Sequence, residues 1–127
     1  MDESKFIEAV ISEVHDSSVD SVFESLGEPP PGRARSKAEM ELFAWFINLN
    51  ESDKKMIKRV IQHSVHSSLF GMFVVLDGNR GLEDGIMEGE FHLTYKNTKG
   101  EYLLSKESDL HSEYQYQVYE KVFGKDS

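Results

Sequence analysis

Two histidines are the residues of this sequence whose type and spacing could hold a metal ion. His63 and His66 are three residues apart in a segment with helical apolar spacing, so both side chains can lie on one helix face. Imidazole nitrogens are common metal ligands, and the pair could supply two of them. The chain has no cysteine and no HExxH motif to supply a third ligand. No cofactor is therefore expected, and a metal or acid–base site at this pair is kept as the alternative hypothesis.

An acidic, glycine-rich segment at residues 77–90 is the second place where chemistry could occur. Asp77, Asn79 and Glu88 match positions 1, 3 and 12 of an EF-hand calcium loop. Positions 5 and 6 are Gly81 and Leu82, where the pattern needs an oxygen ligand and a glycine. The segment therefore fails at two defining positions, and it is typical of a solvated surface loop.

The charge of the chain favours a basic protein partner and opposes nucleic-acid binding. The formal net charge is −9, and the first 28 residues hold eight acids and one lysine. A nucleic-acid binder needs a basic footprint instead. The loop acids Glu83, Asp84 and Glu88 are the candidate contacts with such a partner. We expect a non-enzymatic acidic binding protein with no catalytic residues; the alternative is an enzyme that uses His63, His66 and the 77–90 loop.

The size and composition of the chain are typical of one globular domain covering residues 1–127. The N-terminal residues are acidic and their apolar residues are spaced apart, unlike a secretory signal peptide. The longest apolar run is far shorter than the ~20 residues of a membrane span. Together with the absence of cysteine, these features predict a cytoplasmic protein that does not bind membranes.

Residues 4–26 carry two sets of apolar residues, both at helical spacing, that do not share one face. The sequence allows either one helix that bends near Asp16-Ser17-Ser18 or two helices that meet there. After a run of three prolines, Ser36 and Glu39 have the spacing of a capping box. The helix that follows is apolar around most of its circumference, so it should be nearly surrounded by protein, with Trp45 buried between helices.

A further helix begins after Asn50, and residues 69–76 can either continue it or form a strand. We favour the helix, because Gly71 is the only local objection and costs about 1 kcal/mol. Asp77-Gly78 is then a structural stop, with Asp77 bonding backbone N–H groups in the loop that follows.

Residues 90–104 alternate and turn like a β-hairpin, which must pack on helices to be stable. Ser108 or Asp109 can cap a C-terminal helix that ends at Gly124. The expected fold is α+β and mainly helical, with three or four core helices, the hairpin and the C-terminal helix.

The segment "LFGMFVVLDGNRGLEDG", followed by the strand "FHLTY", resembles a pattern found in small bacterial proteins. The resemblance covers about a quarter of the chain and brings no catalytic motif with it. Small, acidic, single-domain bacterial proteins include immunity and antitoxin proteins. An immunity-like or antitoxin-like binding function is therefore expected by class, from size and acidity, and the resemblance itself brings no function.

Overall fold

The computed structural model describes residues 1–78, 89–105 and 109–124. The elements are, in chain order, α1 (Glu3–Val10), a first π-helical segment (Ile11–Asp16), α2 (Ser17–Leu26), a 3₁₀ turn (Gly32–Ala34), α3 (Lys37–Ile47), α4 (Glu51–Leu76), β1 (Thr94–Asn97), β2 (Gly100–Leu103), α5 (Leu110–Val118) and a second π-helical segment (Tyr119–Phe123). The predicted α+β fold, mainly helical with a hairpin and a C-terminal helix, is confirmed. Within the described ranges, no helix is both long enough and apolar enough to cross a bilayer.

Residues 3–26 form a single helix, which decides between the two arrangements that the sequence allowed. The backbone stays right-handed helical at both ends of the first π-helical segment, with φ of −61° at Val10 and −62° at Ser17. A π-helix has i→i+5 hydrogen bonds and therefore more residues per turn than an α-helix. The wider turn keeps residues four apart in line, and the buried residues of this helix recur at that step: Ile7, Ile11, His15 and Val19.

The start of α3 agrees with the sequence, but its burial does not. Ser36 Oγ accepts the expected capping hydrogen bond from the Glu39 N–H at 3.1 Å. Phe46 alone is buried in α3, and its ring meets the Phe23 ring of α2 edge-on at 5.7 Å between centroids. Trp45 is 50% exposed, so the prediction that it is buried is wrong. The physical reason is that, among the described elements, α3 packs chiefly against α2, which covers only one side of it.

α4 continues without a break through residues 69–76, so these residues are helix and not strand. At its start, Asn50 Oδ1 accepts a hydrogen bond from the Asp53 N–H at 2.8 Å. At its end, Gly78 has a φ of 80° and donates its N–H to the Val75 carbonyl at 3.0 Å. Glycine adopts this left-handed conformation without steric cost. The predicted stop at Asp77-Gly78 is confirmed.

The two strands form the predicted hairpin, paired antiparallel from Thr94 opposite Leu103 to Asn97 opposite Gly100. The Asn97 side chain supports the turn by accepting a hydrogen bond from the Lys99 N–H at 2.9 Å. The hairpin reaches the helices through Leu93, which packs against the main buried cluster. That contact fits the expectation that a two-stranded sheet needs helical support.

The buried core lies where α1, the first π-helical segment, α4 and α5 meet. Its members are Ile7, Ile11, Phe73, Leu110, Tyr114 and Val118. The Tyr114 ring lies at the centre, 5.2 Å from Phe73 between centroids, and Phe73 in turn meets Phe6 edge-on at 6.3 Å. Half of the cluster comes from α5, so the C-terminal helix is a central part of the core.

Candidate functional site

The outer side of α3 exposes large apolar residues to solvent. They are Met40, Leu42, Trp45 and Ile47. Helical geometry places Leu42 and Trp45 on one flank of the buried Phe46 and the other two on the opposite flank. α3 therefore attaches to α2 through Phe46 and presents apolar surface on both sides of that attachment. We call the Leu42 and Trp45 side the tryptophan flank.

A small pocket lies beside the tryptophan flank. It forms where the end of α2, the proline-containing segment between α2 and α3 (the connector) and α3 meet. Its volume is about 180 Å³, and its apolar wall consists of Leu26, Pro30, Pro31, Leu42 and Phe43. Its polar lining consists of Ser25, Glu28 and Glu39. Pockets for small-molecule ligands hold roughly 300–1,000 Å³, so this one is sized for a single side chain. We call it the connector pocket.

The connector pocket owes its shape to local breaks in the helix. α2 ends at Gly27, and the three prolines after Glu28 cannot continue an α-helix because they lack backbone N–H groups. The connector is tied back on itself by Arg35, whose Nε donates a hydrogen bond to the Pro30 carbonyl at 3.0 Å. The chain then enters α3, so Leu42 and Phe43 lie opposite the prolines.

The charges at the connector pocket are not balanced internally. In the described part of the chain, neither Glu28 nor Glu39 forms an ion pair, whereas Glu41 on the same helix pairs with Lys37 at 3.9 Å. Arg35 donates its hydrogen bond to the Pro30 carbonyl and, within the described residues, to neither glutamate. Two unpaired carboxylates beside an apolar wall can accept a basic side chain with an aliphatic stem.

The predicted metal pair lies in a cluster of aromatic rings. His63 stacks on Phe123 at 4.5 Å between centroids, and His66 stacks on Tyr114 at 5.3 Å. Burial lowers the pKa of His66, and His15 and His63 lower it further. No group of three histidines, cysteines or acids in the described ranges is placed to hold a metal ion. The geometry thus brings the pair together without a third ligand.

His15 belongs to the same cluster, and the sequence analysis did not single it out. It is fully buried, and its Nδ1 lies 2.9 Å from the Asp16 carboxylate. Three buried polar atoms here have no hydrogen-bond partner in the described structure: His15 Nε2, His66 Nδ1 and the Tyr114 hydroxyl. Burial, and then the Asp16 charge, raise the pKa of Tyr114. His15 could have been identified from the sequence, because it lies four residues after Ile11 and four before Val19, in line with the other buried positions of this helix.

Asp77 bonds backbone N–H groups of α5, and the loop in which it was expected to bond such groups, residues 79–88, lies outside the described residues. Its carboxylate accepts hydrogen bonds from the Leu110 N–H at 3.0 Å and the His111 N–H at 2.8 Å. It also contacts His111 Nδ1 at 2.5 Å. Asp109, one of the two caps predicted from the sequence, makes no capping hydrogen bond with its side chain, and Ser108, the other, lies outside the described residues. Asp77 therefore caps a helix that begins 33 residues further along the chain.

The side chains of Asp77, His111 and Ser112 lie in the order of a hydrolase triad, but within the described residues the other parts of such a site are not in place. Ser112 Oγ lies 3.4 Å from His111 Nε2, at the long limit of a hydrogen bond. Acyl-transfer catalysis also needs backbone N–H donors for the oxyanion. The two N–H groups at this helix start, those of Leu110 and His111, are already bonded to Asp77. The arrangement caps α5 and orients the His111 ring.

The loop acids proposed as partner contacts, Glu83, Asp84 and Glu88, lie outside the described residues. Comparison of the chain with protein-family models, with curated proteins and with solved structures found no match. Among the described residues, the tryptophan flank with the connector pocket is the surface best suited to binding.

Proposed function

We propose that this chain is a non-enzymatic binding protein that docks a basic protein partner through the tryptophan flank of α3. The observation that carries the proposal is the half-exposed Trp45, next to exposed Leu42 on a helix that buries only Phe46. Tryptophan is among the residues that contribute most energy at protein interfaces. An exposed apolar surface beside polar residues is typical of an interaction site.

The charge distribution supports a partner of positive charge. The first 28 residues carry a net charge of −7, and Glu28, the last of them, lines the connector pocket together with Glu39 of α3. Opposite charge steers association and raises its rate, and salt screens this effect. The proposal includes a bacterial, cytoplasmic, immunity-like or antitoxin-like role, which the small size and acidic composition support.

The experiment is affinity capture from the native host with the wild-type protein, Trp45→Ala and Tyr116→Ala. Tyr116 is the matched control, because it is an aromatic residue of α5 with 68% exposure and lies on another helix. We expect one protein to be retained by the wild type and by Tyr116→Ala but lost from Trp45→Ala, and to elute with added salt.

Equal retention by Trp45→Ala would refute the docking surface. Recovery of the bait chain alone would refute a stable heterologous partner.

A further inference from the structure

The connector pocket has features that point to one kind of occupant. Its wall is apolar and its rim carries the Glu28 and Glu39 carboxylates, with the Ser25 hydroxyl already bonded to the Val22 carbonyl at 2.9 Å. A purely apolar side chain would leave two carboxylates beside it without a partner, and an acidic one would be repelled. A side chain with an apolar stem and a cationic head satisfies both parts of the pocket.

The neighbouring Trp45 favours arginine over lysine as the occupant of the pocket. Leu42 lines the pocket, and Trp45, three residues further along α3, is its neighbour on the same side of the helix without itself lining the pocket. A guanidinium is planar, binds carboxylates with two parallel hydrogen bonds and stacks on aromatic faces. An ammonium is a strongly hydrated point charge that gains less from a flat ring.

We infer that the connector pocket receives an arginine side chain of the partner, with its stem on Pro30, Pro31 and Leu42 and its guanidinium at Glu28 and Glu39. This inference rests on the proposed docking of a basic protein at the tryptophan flank.

Selection of random peptides on the immobilised full-length protein tests the inference without a known partner. The baits are the wild type, Glu28→Gln/Glu39→Gln and Trp45→Ala. Both glutamates are exposed, and glutamine keeps the side-chain type preferred at the third position of α3, so the double variant should melt like the wild type. We expect arginine beside an apolar residue in wild-type peptides, loss of the arginine on the double variant, and loss of selection on Trp45→Ala.

A synthetic copy of the best peptide, with arginine replaced by citrulline or lysine, gives the quantitative test by fluorescence anisotropy. Citrulline keeps the shape of arginine and removes its charge. We expect the citrulline peptide to bind the wild type about fivefold more weakly or worse, and both peptides to bind the double variant alike. The lysine peptide should fall between them.

The outcomes separate the two proposals. Two results would overturn the arginine pocket and leave the docking surface standing. In the first, the selected peptides depend on Trp45 but show no preference for arginine. In the second, they show the same arginine preference on the double variant as on the wild type. Equal enrichment of lysine would overturn the choice of arginine. Absence of any peptide that distinguishes the wild type from Trp45→Ala would overturn the docking surface and the pocket with it.

Discussion

α3 and α5 are the two helices in which apolar content and burial agree least. α3 has eleven residues, eight of them alanine or larger apolar residues, yet it buries only Phe46. α5 has nine residues, mostly polar or tyrosine, yet it buries Leu110, Tyr114, Gln117 and Val118. α5 lies against both α1 and α4, whereas α3 lies chiefly against α2. The apolar content of a helix therefore indicates how much free energy its burial would contribute. The topology of the fold decides whether other helices of the same chain cover it.

The largest expected effect separates two tyrosines of α5. Tyr114→Ala should lower the free energy of unfolding by about 3–5 kcal/mol, because it removes a fully buried ring from the centre of the core. Tyr116→Ala, at the exposed side of the same helix, should change it by no more than about 0.5 kcal/mol. Urea denaturation measures both. Similar losses for the two variants would contradict the described orientation of α5.

The helix caps extend the comparison. α3 is capped by Ser36, the residue just before it, whereas α5 is capped by the distant Asp77. Asp77→Ala should lower the free energy of unfolding by about 2 kcal/mol or more, because the Leu110 and His111 N–H groups lose a buried acceptor. Asp109→Ala is the control, and it should cost no more than about 1 kcal/mol.

Hydrogen exchange gives the local readout for that prediction. Asp77→Ala should speed exchange at the first turn of α5 more than elsewhere in the protein. If Asp109→Ala were the more damaging variant, the cap would be the ordinary one supplied by the neighbouring residue, and the role assigned to Asp77 would be wrong.

Acid should weaken the region around α5 through His66, which stacks on Tyr114. The pKa of His66 is lowered from 6.5 in the folded protein, mainly by burial. Between pH 6.5 and the lower folded value, the unfolded chain binds a proton at His66 that the folded chain does not. The contribution of neutral His66 to stability is therefore complete above pH 6.5 and is lost as the pH falls through that window.

Urea midpoints at several pH values check this dependence. His66→Phe keeps an aromatic ring and removes the titration, so its stability should fall less between about pH 7 and about pH 5 than that of the wild type. An unchanged slope in His66→Phe would assign the acid sensitivity to another group.

Apart from the control variants, the smallest expected effect on stability is at Trp45. Trp45→Ala should change the free energy of unfolding by less than about 1 kcal/mol, because half of the side chain is already in contact with water. The native fluorescence should resemble that of a solvent-exposed indole and be quenched readily by iodide. A blue-shifted, protected spectrum in dilute solution would show that another chain or segment covers the tryptophan flank.

Features determined by neighbouring residues were predictable from the sequence. The caps at Ser36 and Asn50, the stop at Gly78 and the turn of the hairpin each depend on contacts over about three residues. The unbroken α4 followed from the absence of a strong helix breaker before Gly78. These local rules were sufficient for the mainly helical α+β fold.

Features that join distant parts of the chain were not predictable in the same way. Asp77 was expected to act within its own loop, because no pattern links it to Leu110 across 33 residues. Trp45 was expected to be buried, because the amphipathic pattern reports apolar width and not the position of neighbouring helices. The connector pocket needs α2 and α3 in their final positions, and a sequence of three prolines predicts only that a helix ends.

The distant cap also joins the two ends of the segment between Asp77 and Leu110, because the start of α5 is bonded to the end of α4. The tip of its hairpin, at Thr98 and Lys99, is exposed and far along the chain from both anchored ends. Lengthening a flexible loop costs only about 0.6 kcal/mol for each doubling. We therefore expect the hairpin tip to accept an inserted reporter peptide or a whole foreign domain without displacement of α5.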